Sequence, residues 1–317
     1  MLSAVMCTKL TRRLRDASGS RNDWEHARIG EWRWRMRHEV AAELCSPDVR
    51  WWETPTLGEQ IKQGRSRSVQ RLQVGSHRLY VKRFRHTDAA EQCRVWLRGA
   101  TARWEASRIR MVMAAGVPTA ELLGMGERRS RGVLLESWLV TRAIDGVTPL
   151  ANFRSASPLP NSAGNEAPLL DDTLLEAVAD LIAHLHGQGL WHNDLHAGNI
   201  LCRCDPAGWR CWLIDLSGVR TSLRLTRHRI SENLARLWLS LGQTLTPMHQ
   251  RAFAARYWRT LNTYDRALAQ RIGPTADVAY RNLASAAGAH TERLCRRADL
   301  AWSRGNRKVL RLPRGRG

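Results

Sequence analysis

His192-Asn193-Asp194-Leu195-His196-Ala197-Gly198-Asn199-Ile200-Leu201 decides the reading of this chain, together with Leu213-Ile214-Asp215-Leu216-Ser217-Gly218, whose aspartate lies sixteen positions beyond Asn199. Two carboxylates and an amide, each beside a short apolar run, suit ligands that strands hold in place. Asp194 is placed to accept or steer a hydroxyl proton. Asn199 and Asp215 offer hard oxygen donors of the kind a magnesium ion takes while it grips a triphosphate. Phosphoryl transfer asks a protein for little more than this: positioned charge and an oriented nucleophile.

Upstream of the stretch, Leu79-Tyr80-Val81-Lys82-Arg83-Phe84 reads as a strand that carries one of four lysines in the chain. The others are Lys9, Lys62 and Lys308, against dozens of arginines, so a lysine at this place is informative. Val69–Val74 and Arg78–Phe84 alternate around Gly75-Ser76 and predict a hairpin. Glu91–Ala115 has helical spacing and ends at Gly116 with Pro118 beyond, so one long helix is expected there. Ala120–Gly126 and Val133–Ile144 read as two further strands. Asp171 or Asp172 caps a helix that runs to His186, and the chain from about Thr226 is helical. Residues 1–55 are basic and rich in tryptophan, with a helix expected around Glu31–Leu44.

The domain organisation expected from these signals is an N-terminal extension over 1–55, a β-rich lobe over 56–144, a hinge or flexible insertion over 145–170, a mainly helical lobe over 171–303 and a disordered basic tail over 304–317. The fold class is α+β.

The catalytic stretch resembles the protein-kinase loop H-x-D-L-x-x-x-N followed by an equivalent of D-F-G, here Asp215-Leu216-Ser217, and the Lys82 strand resembles V-A-I-K. The resemblance implies a two-lobed kinase-like fold with ATP and Mg2+ as cosubstrate and metal. It implies that Lys82 reaches the α- and β-phosphates and is held by a glutamate on the next helix. Glu105 is the expected partner, and Glu91, near the helix start, is the competitor. Gly64, Ser66 and Arg67 occupy the place of the phosphate-covering loop, with one glycine where protein kinases usually have three. His192 is expected to brace the loop, and His196 stands where protein kinases carry a lysine.

The chain runs from Asp215 through Val219-Arg220 into a helix at Ser231–Leu241, without the long activation segment and A-P-E motif of protein kinases. That points to a small or glycan-bearing acceptor. The whole resembles the lipopolysaccharide kinase (Kdo/WaaP) family over about residues 58–240, through Lys62–Val69, Tyr80–Phe84, Ala102–Glu105, Gly116–Thr119, Leu139–Arg142, His192–Leu201, Leu213–Arg220 and Glu232–Leu239. The resemblance implies phosphorylation of a heptose or Kdo hydroxyl on the lipopolysaccharide core and lipid A glycolipid, at the cytoplasmic face of the inner membrane. One departure is Glu232-Asn233, where the family often has an aspartate. Two alternatives remain open. One is a small-molecule kinase of the aminoglycoside or choline type, whose loop reads much the same. The other is a basic, catalytically inactive binding protein.

Charge fits the first reading. The chain of 317 residues has 50 basic and 29 acidic residues, a net charge of +21, which attracts anionic surfaces. Nucleic acid is not the expected partner, and nothing in the sequence fixes an oligomeric state. No run of about 18 apolar residues exists to span a bilayer, and the short apolar start does not read as a signal peptide. A cytoplasmic location is therefore expected. Seven cysteines, an odd number, fit a reducing compartment. Cys202, Cys204 and Cys211 lack a fourth ligand at ribbon spacing, so a hairpin rather than a zinc site is expected. His184, His186, His192 and His196 are likewise not expected to hold a transition metal.

Overall fold

The computed structural model describes residues 23–44, 51–52, 58–153, 170–242 and 245–303. The expected basic tail lies outside the described residues, as does the greater part of the insertion expected over 145–170. The chain divides into two compact units: one runs to Val147 and regains Leu213–Ser217, and the other holds Thr148–Trp212 and everything from Gly218.

The first unit is built on a seven-stranded sheet. Its strands are β1 (Trp24–Ile29), β2 (Trp32–Arg37), β3 (Glu59–Gln63), β4 (Arg67–Val74), β5 (His77–Arg85), β6 (Leu122–Ser130) and β7 (Val133–Arg142), in the order β1-β2-β6-β7-β5-β4-β3. A short helix, α1 (His38–Leu44), follows β2. Two helices, α2 (Ala89–Arg98) and α3 (Thr101–Ala114), separate β5 from β6. The β4–β5 hairpin turns at Gly75, and Arg131-Gly132, both at positive φ, make the tight turn between β6 and β7.

Two expectations need correction. The helix placed at Glu31–Leu44 is a strand over its first half. Trp32, Trp34 and Met36 are buried and alternate with Arg33, Arg35 and Arg37, a period of two that only a strand satisfies. That pattern finds its partner about 90 residues away. In the β2–β6 register Trp34 faces Gly126 and Met36 faces Gly124. A Cβ on Gly126 would come within 2.3 Å of the Trp34 ring, and one on Gly124 within 1.9 Å of the Met36 sulfur. The glycines are the space into which the large side chains pack. Trp34 and its neighbours Trp32, Trp51, Trp52 and Trp138 form a buried aromatic cluster with ring centroids 5.1 to 6.3 Å apart.

The second correction concerns the long helix expected over Glu91–Ala115, which is two helices. Gly99 at φ 78 ends α2, with its N–H on the Val95 carbonyl, and Ala100 in extended conformation starts α3. Asp88 caps α2 by accepting from the Glu91 amide.

The second unit is mainly helical. Its helices are α4 (Asp172–Gly187), α5 (Arg227–Leu241), α6 (Pro247–Tyr264), α7 (Arg266–Ile272) and α8 (Ala276–Ser303). Leu174, Leu175, Val178, Ile182 and Leu185 recur at helical spacing on α4 and are fully buried, as are Phe253, Tyr257 and Leu261 on α6. Gly187 lets these two helices approach: a Cβ there would lie 2.4 Å from that of Tyr264. Short strands carry the loop between them and α5. Leu190–His192 pairs with Val219–Thr221, and Ile200–Asp205 pairs with Thr148–Pro149 inside the hinge segment. A β-rich first unit and a mainly helical second one make the chain α+β.

Candidate functional site

Lys82 projects from β5 and is only 17% exposed at the side chain. Its ammonium pairs with Glu105 of α3, a carboxylate 2% exposed, and lies 3.3 Å from the Asp215 carboxylate. Glu105 is therefore the carboxylate on the lysine. Asp215 belongs to the same unit because its segment is tied back: the Leu213 amide donates to the Pro118 carbonyl at 2.9 Å, and the Thr119 hydroxyl donates to the Leu213 carbonyl at 2.7 Å. Asp215 itself sits at φ 54, a left-handed conformation that costs a non-glycine residue about 1 kcal/mol or more. The tied segment holds the strained residue with its carboxylate toward Lys82.

Burial alone would raise the pKa of Asp215. The positive charges of Lys82 and then Arg67 outweigh it and hold the group at about 2. Asp215 is thus a fixed anion at any working pH. Arg67, at the start of β4, lies 3.3 Å from it and over the Phe84 ring. The residue expected to cradle phosphate is here a counter-ion of Asp215. Gly64 and Ser66 form the β3–β4 turn, where the Gly64 amide donates to Arg67 and the Ser66 carbonyl accepts from Arg85.

Asp194 and Asn199 lie together in the second unit. The Asn199 amide nitrogen donates to the Asp194 carbonyl at 3.0 Å, which leaves the amide oxygen as its acceptor end. The Asp194 backbone N–H donates to Nδ1 of the buried His192, and the Asn193 N–H to the Gly218 carbonyl. The Asp194 side chain is 72% exposed, with His196 Nε2 approaching at 3.9 Å. The loop is rigid in its backbone and open at its carboxylate.

Sequence reasoning missed what holds this loop from below. Asn233 of α5 is fully buried, and its Oδ1 accepts from the His192 backbone amide at 3.0 Å and from His186 Nε2 at 3.3 Å. One turn pair further on, the Ser240 hydroxyl accepts from the Ala197 amide at 2.7 Å. An asparagine thus does with its amide oxygen what an aspartate does with a carboxylate, and the departure at Glu232-Asn233 removes a charge without removing the bond. Glu232 turns instead to Arg229, Arg236 and His290.

His186 extends the brace. Desolvation, only partly offset by the Asn233 hydrogen bond, lowers its pKa to about 4, so it is neutral. Nε2 must carry the proton, since it faces an amide oxygen; Nδ1 then accepts from the Tyr257 hydroxyl at 2.8 Å. A neutral buried histidine has a consequence for stability. Its folded pKa lies below the unfolded value of about 6.5, so its contribution is complete above that value and is lost as pH falls toward 4. His186→Gln keeps a donor for Asn233 and removes the titration. Urea unfolding at pH 7 and pH 5 should show the wild type losing about 2 kcal/mol more than this variant. Equal losses would mean that His186 does not titrate on unfolding.

The donors fit a hard divalent cation bound with phosphate. Asp215 of the first unit is an ionised carboxylate and Asn199 of the second presents an amide oxygen, each a donor type that magnesium accepts beside substrate oxygens and water. Among the described residues no group of three His, Cys, Asp or Glu side chains could hold a metal ion by itself. Cys202 and Cys211 are a buried pair with sulfurs 3.6 Å apart, and Cys204 is exposed.

Comparison with known proteins follows the same residues. A sequence model of the lipopolysaccharide kinase (Kdo/WaaP) family matches residues 50–264. The 3-deoxy-D-manno-octulosonic acid kinase of Xylella fastidiosa strain M12 is 32% identical over 198 residues, covering 57% of this chain and 64% of that protein. That of Xanthomonas oryzae pv. oryzae strain PXO99A is 41% identical over 92 residues, 29% of this chain and 33% of that protein. The lipopolysaccharide core heptose(I) kinase WaaP of Pseudomonas aeruginosa is 29% identical over 169 residues, 51% and 60%. The chain spans less than two thirds of the length of these curated relatives. Among solved structures, WaaP in complex with acyl carrier protein aligns with a TM-score of 0.47 and 24% identity, covering 71% of this chain and 88% of that one.

Proposed function

The chain belongs to the lipopolysaccharide kinase (Kdo/WaaP) family, and we propose that it transfers the γ-phosphoryl group of ATP to a sugar hydroxyl of the lipopolysaccharide inner core, a Kdo hydroxyl first and a heptose hydroxyl second. The observation that carries this reading is the Lys82 ammonium held by a buried glutamate and an ionised aspartate. A lone structural ion pair has no use for a third charge; a lysine that must meet phosphates beside a metal ligand does. The order of acceptors follows the relatives, since those named for Kdo match at higher identity than the one named for heptose.

In this reading Asp194 takes the proton from the acceptor hydroxyl. The acceptor oxygen bonds to the γ-phosphorus as the bridge to the β-phosphate breaks, and ADP leaves. Lys82 neutralises the α- and β-phosphates, and Glu105 keeps it from collapsing onto Asp215 alone. Arg67 exchanges Asp215 for phosphate oxygens, with the Ser66 backbone amide beside them, while the Gly64 amide stays on the Arg67 carbonyl and shapes the turn. Asp215 and Asn199 would hold magnesium, and the ion would supply positive charge to offset that developing on the transferred group.

The net charge of +21 supports an acceptor embedded in anionic lipid, and the reading places the protein peripherally at the inner membrane. Among the described residues no helix is long and apolar enough to cross a membrane. The test is ATP turnover with Mg2+ on a Kdo-bearing lipid A acceptor, on a heptosylated core, on an aminoglycoside and with no acceptor, the product read by mass spectrometry. A phosphate gained by either core acceptor is expected. Turnover on the aminoglycoside alone, or none at all, overturns the assignment.

A further inference from the structure

Soluble helices bury their apolar stripe, and α2 does the reverse. One side is anchored: the Gln92 amide donates to the His86 carbonyl at 2.6 Å and the Leu134 carbonyl at 2.7 Å, while Val95 is half-buried. Flanking it, Cys93, Trp96 and Leu97, at spacings of three and four, are all exposed, Trp96 at 84% and Leu97 at 67%. Trp104 follows on α3, 42% exposed, with the Arg108 guanidinium 4.1 Å from its ring centroid. A tryptophan and a leucine displayed together to water, on a helix held from behind, call for an apolar partner.

Charge says which. Residues 89–110 hold five arginines (Arg94, Arg98, Arg103, Arg108 and Arg110) against Glu91 and Glu105. Glu105 is spent on Lys82, as Arg103 is on Glu127 and Arg110 over the Trp24 ring, and the chain as a whole carries a net charge of +21. A cationic segment presenting an indole beside a leucine matches the boundary of an anionic bilayer, where the ring sits at headgroup depth and arginines meet phosphates. With ten residues α2 is about 15 Å long, too short to span the hydrocarbon and suited to lie in the interface plane.

We propose that the Cys93–Trp96–Leu97 face of α2 docks the protein on an anionic phospholipid surface. It gives the membrane-borne acceptor of the proposed function a place of attachment. α2 leads through Gly99-Ala100 into the helix that carries Glu105, so the docked element is continuous with the one that positions Lys82. Vesicle binding is read without turnover, so a failure of the kinase reading and a failure of this one are separate results.

The test uses the full chain at about 0.15 M salt, where long-range attraction between exposed charges is largely screened. Flotation with phosphatidylcholine vesicles, with and without phosphatidylglycerol, should show binding to the anionic vesicles. Trp96→Ala/Leu97→Ala should weaken it by at least about tenfold. Vesicles with brominated acyl chains should quench part of the wild-type tryptophan fluorescence. Trp96→Phe, which keeps an apolar ring, should bind while losing that part of the quench. Undiminished flotation of the double variant, equal binding to neutral vesicles, or unaltered quenching in Trp96→Phe overturns the proposal. So does a double variant whose light-scattering mass falls to half while its lipid binding stands, since the face is then a contact between two copies.

Discussion

Replacing Asp215 by alanine is expected to abolish the magnesium dependence of ATP binding. Among the described residues the carboxylate is the only acidic oxygen donor that the first unit sets beside Lys82 apart from Glu105, and Glu105 is committed to the ammonium. Because Lys82 and Arg67 hold the Asp215 pKa at about 2 despite its burial, the ligand is fully charged at neutral pH, and no proton competes with the metal. Its stabilising pairing is complete above the unfolded pKa of about 3.9 and disappears only as pH falls toward 2. Metal affinity should therefore be flat between pH 6 and 8 as far as this residue decides it. Removing one member of a desolvated charge pair costs about 2–5 kcal/mol, so calorimetry should find MgATP bound at least about thirtyfold more weakly. Metal-free ATP should bind no worse than to the wild type, because alanine leaves two cations for the phosphates. Asp215→Asn separates charge from shape and should behave like alanine toward magnesium. MgATP affinity unchanged in either variant would remove Asp215 as the metal ligand.

The stretch from His192 to Asp215 is legible because the chemistry proposed for it constrains residue types at fixed spacing. His192 to Asn199 and Asp215 announce themselves through carboxylates, an amide and the apolar residues that seat them. Lys82 stood out for a different reason, as a lysine in a chain that otherwise uses arginine. What failed was whatever depended on a distant partner. Trp32, Trp34 and Met36 alternate with arginines, but a strand there is stable only because Gly124 and Gly126 leave room across the sheet. The helix break at Gly99 was lost among residues that favour helix on both sides, since a single glycine costs a helix only about 1 kcal/mol. The place of Arg67 in the loop points to phosphate, and its pairing with Asp215 is legible only in the fold. Asn233 was read as an absent aspartate. Its neighbour His186 shows why the amide suffices: a neutral imidazole needs an acceptor and has no charge to match.

Asp194→Asn should leave fold and nucleotide affinity as they are while turnover collapses. The backbone of Asp194 does the structural work, with its amide on His192 and its carbonyl under the Asn199 side chain, and neither bond involves the carboxylate. The side chain is 72% exposed and among the described residues meets only a 3.9 Å approach from His196, so an isosteric amide disturbs none of the bonds that hold the loop there. A carboxylate kept open on a loop braced at His192 and Ala197 suits an external partner, and an acceptor hydroxyl is the partner that the proposed reaction supplies. An amide cannot take its proton. Loss of general-base catalysis is worth roughly 10²–10⁴ in rate, so kcat should fall by several decades with the KM for ATP within about twofold. Asn233→Ala acts differently: it frees the loop backbone, and its loss of kcat should come with a lower unfolding free energy, which Asp194→Asn will not show. If Asp194→Asn keeps a tenth of the wild-type rate, the proton goes elsewhere, and the hydroxyl is activated by the phosphate it attacks rather than by this residue.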